Sequence, residues 1–309
     1  MPVLDNTITT ADVCTALDKE FVENFRGEYD RLGEILGLFP VETMTAGTAL
    51  YQYKITGQLT SGRDNSKGSS GKQYIEGDNI LRSKYEVRKT PVGEIAFEPY
   101  AKQTTAQAIL KGGFENSVLR TDKKARQQLR AETLTEFFTF LGNGTGSAEA
   151  STLQAALALA DANLGDALEA NGDEGGAILH FVSRQDIAKY LGEKEVTLQT
   201  AFGLDYLKSF LGIQNVIVTS KVATGSFFVT PVENIHIYGL DFGTLGSAGL
   251  TYETDSLGLI GVHHTAAYDR ASAETYLVKG ATFLPEIKDY IIKGTIAAGD
   301  DGGDQEGTG

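Results

Sequence analysis

The residues able to do chemistry are few and scattered. Histidines stand at His180, His236, His263 and His264, and the lone cysteine is Cys14. A zinc pair carried by a helix needs its ligands at i and i+4, on one face. His263 and His264 are adjacent, so their side chains diverge, and Cys14, His180 and His236 show no ligand spacing. Packing or exposure explains these residues better than metal. Gly142-Asn143-Gly144-Thr145-Gly146 is rich in glycine, yet it follows a helical stretch and lacks the Gly-Lys-Ser/Thr ending of a phosphate loop. Ala177–Val182, AILHFV, precedes a helix as a nucleotide-binding strand would, but no G-x-G-x-x-G follows it. Asp300, Asp301 and Asp304 lack the spaced ligands and terminal Glu of a calcium loop. No nucleophile, base or cofactor motif converges, so the chain reads as a non-enzyme with no catalytic, metal or cofactor-binding residue.

Composition sets the wider limits. The 309 residues allow two domains or one elaborated domain. Hydrophobic content of 41% and charged content of 22% are ordinary for a globular protein, and 36 glycines with 6 prolines imply many tight turns. The net charge of -14 argues against a general nucleic-acid-binding surface, which needs a basic excess. One cysteine excludes an intramolecular disulfide framework and fits a reducing compartment. No apolar run nears the roughly 18 residues that span a bilayer, and MPVLDNTITT lacks the features of a signal peptide. The expectation is a protein made in the cytosol, with no membrane partner.

The elements follow from periodicity. Glu115–Leu141 reads as one long helix, roughly 40 Å if uninterrupted. Gly112-Gly113 precedes it, Asn116, Ser117 or Thr121 is placed to cap it, and a left-handed glycine in Gly142-Asn143-Gly144 is expected to stop it. Its first half is polar, with Asp122, Lys123, Lys124, Arg126 and Arg130; Leu134, Phe137, Phe138 and Leu141 give its second half an apolar side. Near the N-terminus, Val13, Leu17, Phe21, Phe25, Tyr29, Leu32 and Leu36 recur at helical spacing to about Gly37. The opposite face carries Asp12, Asp18, Glu20, Glu23, Glu28, Asp30 and Glu34. This is either a solvated helix packed on its own domain, which the sequence favours, or an acidic arm reaching a neighbour.

Between Ala49 and Pro99 the period becomes two. Tyr51, Tyr53 and Ile55, then Tyr85 and Val87, alternate with polar residues and predict a hairpin whose tip is Ser61–Gly71. An isolated two-stranded hairpin is marginal in water, so this one must lie on something. Lys54, Arg63, Lys67, Lys72, Arg82, Lys84, Arg88 and Lys89 face only Asp64, Glu76, Asp78 and Glu86. A basic protrusion on an acidic chain suits a homo-oligomer, although edge lysines also guard strands against aggregation. These cations, with Glu20, Glu23 and Glu28, are the candidate inter-subunit contacts.

A strand at Glu94–Glu98 and a short helix at Thr104–Lys111 lead into the long helix. Past Gly146, the segment Ser151–Gln154 forms a capping box for a helix to about Ala170. A strand at Ala177–Val182 and a helix capped by Ser183 follow. A helix carrying Phe202, Leu207, Phe210 and Leu211 comes next, then strands at Asn215–Thr219, Ser226–Thr230 and Asn234–Tyr238. Gly258–Ala267 reads as a loop; Thr275–Phe283 and Asp289–Ile296 read as strands that would close the chain if they pair near Ile95.

This order of parts resembles the major capsid protein of tailed bacteriophages, the Hong Kong 97-type fold, of class α+β. Leu119–Leu141, with RTDKK at Arg120–Lys124 and EFFTFL at Glu136–Leu141, looks like the spine-helix signature of siphophage head proteins. Ala273–Ile296, AETYLVKGATFLPEIKDYIIKGTI, is similar to their C-terminal strands. The resemblance implies an N-terminal arm at 1–48 and an extended hairpin loop at 49–99. It implies a peripheral domain at 100–149 and 265–298 with its spine at 115–141, an axial domain at 150–264, and a flexible acidic tail at 299–309. It further implies pentamers and hexamers closing into an icosahedral virion shell around double-stranded DNA, assembled in the bacterial host cytoplasm without sequence-specific DNA binding. The arm is too short for a cleavable scaffolding segment, which implies a separate scaffolding protein beside a portal and a decoration protein. Some capsids of this fold carry a Lys–Asn isopeptide cross-link; Lys67 and Lys72 are placed for one, but no motif requires it. An encapsulin-type compartment shell is the alternative, and an α/β enzyme with its site in 150–264 the more distant one.

Overall fold

The computed structural model describes residues 10–27, 35, 37–57, 84–193, 199–201, 204–210, 213–255 and 257–297. It divides into a body, Met1–Gly47 with Ile95–Gly309, and a separate unit, Thr48–Glu94.

The separate unit is the expected hairpin. Strands β2, Ala49–Gly57, and β3, Tyr85–Glu94, run antiparallel with Tyr53 opposite Lys89 and Ile55 opposite Val87. A bulge shifts the register between Leu50 and Tyr51, beside Pro91, whose ring nitrogen has no hydrogen to give a ladder. The expected tip, 61–71, lies outside the described residues.

The body is built on the long helix. A π-helical turn, Glu115–Leu119, continues directly into α3, Arg120–Leu141; α1 is Thr10–Gly27 and α2 is Ala106–Gly112. Gly113, at φ 77, breaks α2 from the π-turn. None of the expected caps acts as one. Asn116 and Ser117 donate back to the carbonyls of Gly112 and Ala108, and Thr121 donates to Ser117 and Val118. The stop is not left-handed either: Gly142 keeps a helical φ of -62. Glycine is needed at Gly144 instead, where a Cβ would lie 2.5 Å from the Ile291 carbonyl oxygen. Close packing, not chirality, ends this helix.

A seven-stranded sheet separates two apolar cores. Its order is β5, Gly146–Ala150; β16, Ile292–Ile296; β10, Ser226–Pro231; β6, Ile178–Ser183; β9, Ile213–Thr219; β8, Leu204–Phe210; β7, Gln199–Ala201. Period-two alternation sends Leu179, Phe181, Ile217 and Phe228 toward α3 and its Phe137, Phe138 and Leu141. Val182, Val216, Val218, Phe227 and Val229 go the other way, onto Leu157, Ala160 and Leu164 of α4, Leu153–Asn171. Both faces are buried, which is why AILHFV reads as continuous apolar chain rather than alternating. Thr152, one residue past the expected Ser151, caps α4 by accepting from the Ala155 N–H. Helix α5, Arg184–Glu193, starts at Ser183 as expected.

Two further sheets complete the body. Strands β1, Val41–Met44, β11, Ile235–Leu240, and β15, Thr282–Pro285, form one. Strands β12, Glu253–Thr254, β13, Ile260–Ala267, β14, Ser272–Lys279, and β4, Glu98–Thr105, form the other. A short helix, α6, spans Phe242–Ser247.

Several expectations are corrected. In the stretch expected as a helix, Leu207 and Phe210 lie on a strand, since β8 pairs with β9 and sheet hydrogen bonding overrides an ambiguous apolar run; Phe202 and Leu211 lie outside the described residues. Gly258–Ala267 is mostly strand, because β13 is fully paired to β14. Glu94 ends β3 and Glu98 begins β4, with 95–97 a connection, and Thr104 belongs to β4. The expected strand Thr275–Phe283 is broken before β15, and only Ile292–Ile296 of Asp289–Ile296 is strand. The return toward the first elements is real for β14, which pairs with β4, but β16 joins the seven-stranded sheet.

Candidate assembly surfaces

The hairpin presents charge and apolar surface together. All ten residues of β3 are exposed, including Tyr85 and Val87. Lys84 pairs with Glu86 at 2.9 Å, and the Lys89 ammonium sits 3.7 Å from the centre of the Tyr51 ring. The register sets Lys54 opposite Arg88. Arg63, Lys67, Lys72 and Arg82 lie outside the described residues, as does Glu28; the side chains of Lys54 and Glu23 do too.

The N-terminal helix is packed onto its own body. Phe21 and Val22 enter the core beside α3, while Glu20 is exposed. Val13, expected on the apolar face, is instead 45% exposed. Asp18, expected on the solvated acidic face, is buried.

Asp18 is buried because it meets His264. One Asp18 oxygen accepts from the His264 backbone N–H at 2.7 Å and lies 2.5 Å from its Nδ1. The other ring nitrogen, Nε2, is 3.2 Å from Asp122 of α3. Asp122 is itself paired with Lys102 of β4 and accepts from Thr275 of β14. One imidazole therefore ties α1, β13 and α3 together. Burial alone would lower the His264 pKa. Hydrogen bonds to Asp122 and Asp18, and their charges, outweigh it and raise the value to about 9. Burial would likewise raise the Asp122 carboxyl, but His264 and Lys102 hold it below its usual range. The Phe21 ring packs edge-on against His264 and lies 4.7 Å from the Arg126 guanidinium carbon. The imidazole is thus a structural cation, not a free base. A second buried cation, Lys279, is held by Glu98 at 2.7 Å and by Glu136.

A hollow of about 420 Å³ opens beside this cluster, lined by Cys14, Asp18, Tyr252, Glu253, His263 and Tyr268 among others. Burial and the nearby Asp18 charge push the Cys14 thiol up, so it is a poor nucleophile. Among the described residues, no group of His, Cys, Asp or Glu is arranged to hold a metal ion, and no helix is long and apolar enough to cross a membrane.

The sequence pointed to the hairpin cations and missed the His264 cluster. A signal existed: Phe137, Thr133 and Leu129 mark the buried stripe of α3, and continuing it backward lands on Arg126 and Asp122.

No protein-family model matches the sequence, and no curated protein does. Solved structures do match. The virus-like particle of Pyrococcus furiosus is similar over 90% of this chain and 98% of its own, at 11% identity and TM-score 0.51. The mature capsid of bacteriophage PhiM1 is similar over 82% of this chain and 84% of its own, at 6% identity and TM-score 0.53. For Gordonia phage Cozz both shares are 85%, at 10% identity and TM-score 0.52. The chain has the Hong Kong 97-type capsid fold. At these identities the likeness concerns the path of the backbone, and no functional residue is carried across.

Proposed function

We propose that this chain is the major capsid protein of a tailed phage, assembling as pentamers and hexamers into an icosahedral head around double-stranded DNA. The observation that carries the reading is the extent of the fold. The backbone follows a virus-like particle subunit over 90% of the chain and a phage capsid subunit over 82%. We divide the chain into an arm at 1–48, an extended loop at 49–99, a peripheral domain at 100–149 with 265–298, and an axial domain at 150–264. Strand β16 forms the seam, since it pairs with β5 on one side and β10 on the other.

The physics of the hairpin supports assembly. Ten exposed residues in one strand leave the hairpin with little buried apolar surface of its own, and a two-stranded hairpin alone is marginal in water. Lying on an adjacent subunit would bury Tyr85 and Val87 and give Lys54, Lys84, Arg88 and Lys89 acidic partners. The remaining hairpin cations, Arg63, Lys67, Lys72 and Arg82, belong to the same contact, and Glu20, Glu23 and Glu28 to another. A separate scaffolding protein, a portal and a decoration protein complete the proposed partners, and the virion is the proposed location. Catalysis has no part in this role.

The test is assembly of the purified protein, read by negative-stain imaging. Uniform shells or capsomers are expected; persistent small monomers contradict the proposal. A compartment shell not tied to phage DNA is the second reading; likeness to a virus-like particle over 98% of its own length supports a closed shell under either reading. Nuclease-protected genomic DNA in native particles supports the phage head, and protected protein cargo supports the compartment.

A further inference from the structure

The first half of α3 carries a positive groove that the proposed shell contacts do not use. Arg120, Lys123 and Lys124 are exposed and line a hollow of about 650 Å³ together with Glu115, Leu119, Arg126 and Gln127. Arg120, Lys123 and Lys124 form no ion pair among the described residues. The acid of the same turn, Asp122, is turned inward to His264 and Lys102. Cations this close repel one another. On a chain of net charge -14, such a cluster is stabilised by an anion of several charges.

We propose that its occupant is the acidic C-terminal segment of this same chain, residues 298–309. That segment carries Asp300, Asp301, Asp304 and Glu306 and no Lys or Arg. The last described strand ends near the C-terminal third of α3. The Ile296 N–H donates to the Gly225 carbonyl at 2.8 Å, and Lys221, a few residues earlier, donates to the Thr135 hydroxyl at 3.2 Å. From Thr135 back to Lys124 is about 16 Å along the helix. An extended segment of this length reaches about 40 Å. Tethering also supplies an effective concentration in the ~mM range, which a free polyanion must exceed. The segment offers four carboxylates spread along glycine-rich chain, against the helical row of cations at Arg120, Lys123 and Lys124. Bound there, it would mask the groove from nucleic acid. This inference does not depend on shell assembly.

Two measurements on the full-length protein test it. Zero-length carbodiimide cross-linking, read by peptide mass spectrometry, should join Lys123 or Lys124 to Asp300, Asp301, Asp304 or Glu306 at low salt. The links should disappear at 1 M salt, where screening shortens to about 3 Å. A mixture of light and heavy isotope chains assigns them to one copy or two: links within one copy are expected, and links found only between copies would overturn the tethered placement. Cross-links from these carboxylates to Lys84 or Lys89 in place of Lys123 and Lys124 would overturn the proposal. In the second measurement a labelled random-sequence DNA duplex is the probe. A full-length variant with Asp300→Asn, Asp301→Asn, Asp304→Asn and Glu306→Gln should bind it about tenfold more tightly at low salt. Adding Arg120→Glu, Lys123→Glu and Lys124→Glu should abolish that gain. Equal affinity of the native protein and the tail-neutral variant would mean that the segment does not cover the groove, and the proposal fails.

Discussion

Neutralising His264 should remove a defined, pH-dependent part of the stability of the body. The imidazole is 5% exposed, with Asp18 at 2.5 Å and Asp122 at 3.2 Å. Its pKa stands at about 9 against an ordinary 6.5. At about 1.4 kcal/mol per pKa unit that difference is worth on the order of 3 kcal/mol, shared between the imidazole and its two carboxylates. The raised value belongs to the folded state. The contribution is therefore complete below pH 6.5, declines as pH climbs toward 9, and is gone above that. Asp122 acts in the opposite sense: its depressed carboxyl contributes above its ordinary 3.8 and fails as pH falls through the folded value. The assay is urea denaturation of the unassembled subunit at several pH values, for the native protein and for His264→Gln. The native protein should exceed the variant by on the order of 3 kcal/mol at pH 6, and the gap should close by pH 9.5. Hydrogen exchange should show α1 losing protection first, since Asp18 is its polar tether. A gap that stays constant from pH 6 to 9.5 would refute the reasoning, because it would make the effect one of packing rather than charge.

Other substitutions address the core and the proposed contacts. Phe137→Ala should cost about 3–5 kcal/mol in denaturation midpoint, since its fully buried ring meets Phe39, Phe138, Phe181 and Phe283. A cost below about 1 kcal/mol would remove it from the centre of the core. Gly294→Ala should destabilise by about 1–3 kcal/mol, because a Cβ there would fall 1.9 Å from the Phe227 ring; an unchanged melting temperature would contradict that packing. Reversing Lys84, Arg88 and Lys89 to Glu should leave subunit melting unchanged and abolish assembly in sedimentation. Normal shells from that variant would exclude these cations from the contact.

What the sequence made legible were features fixed by local chemistry. The hairpin showed in alternation, α3 in its glycine boundaries and apolar side, and α4 in its cap. Less legible were features that depend on distant partners. Asp18 lies 246 residues from His264, and Asp122 lies 142 residues from it, so neither pairing has a local trace. Asp18 does share a face with Phe21 and Val22, and a carboxylate on a buried stripe requires a cation. Strand β8 was hidden for another reason: a short apolar run fits either period, and its pairing with β9 decides. Strand β13 was obscured by its glycine and paired histidines, which suggest a loop until β14 supplies the ladder.

We propose that the hairpin is stable only against another copy of the chain. Cryo-electron microscopy of assembled particles decides this. Density is expected for Thr48–Glu94 lying across a neighbouring subunit, with Lys84, Arg88 and Lys89 against acidic side chains. A self-sufficient monomer with that segment folded onto its own body would contradict it.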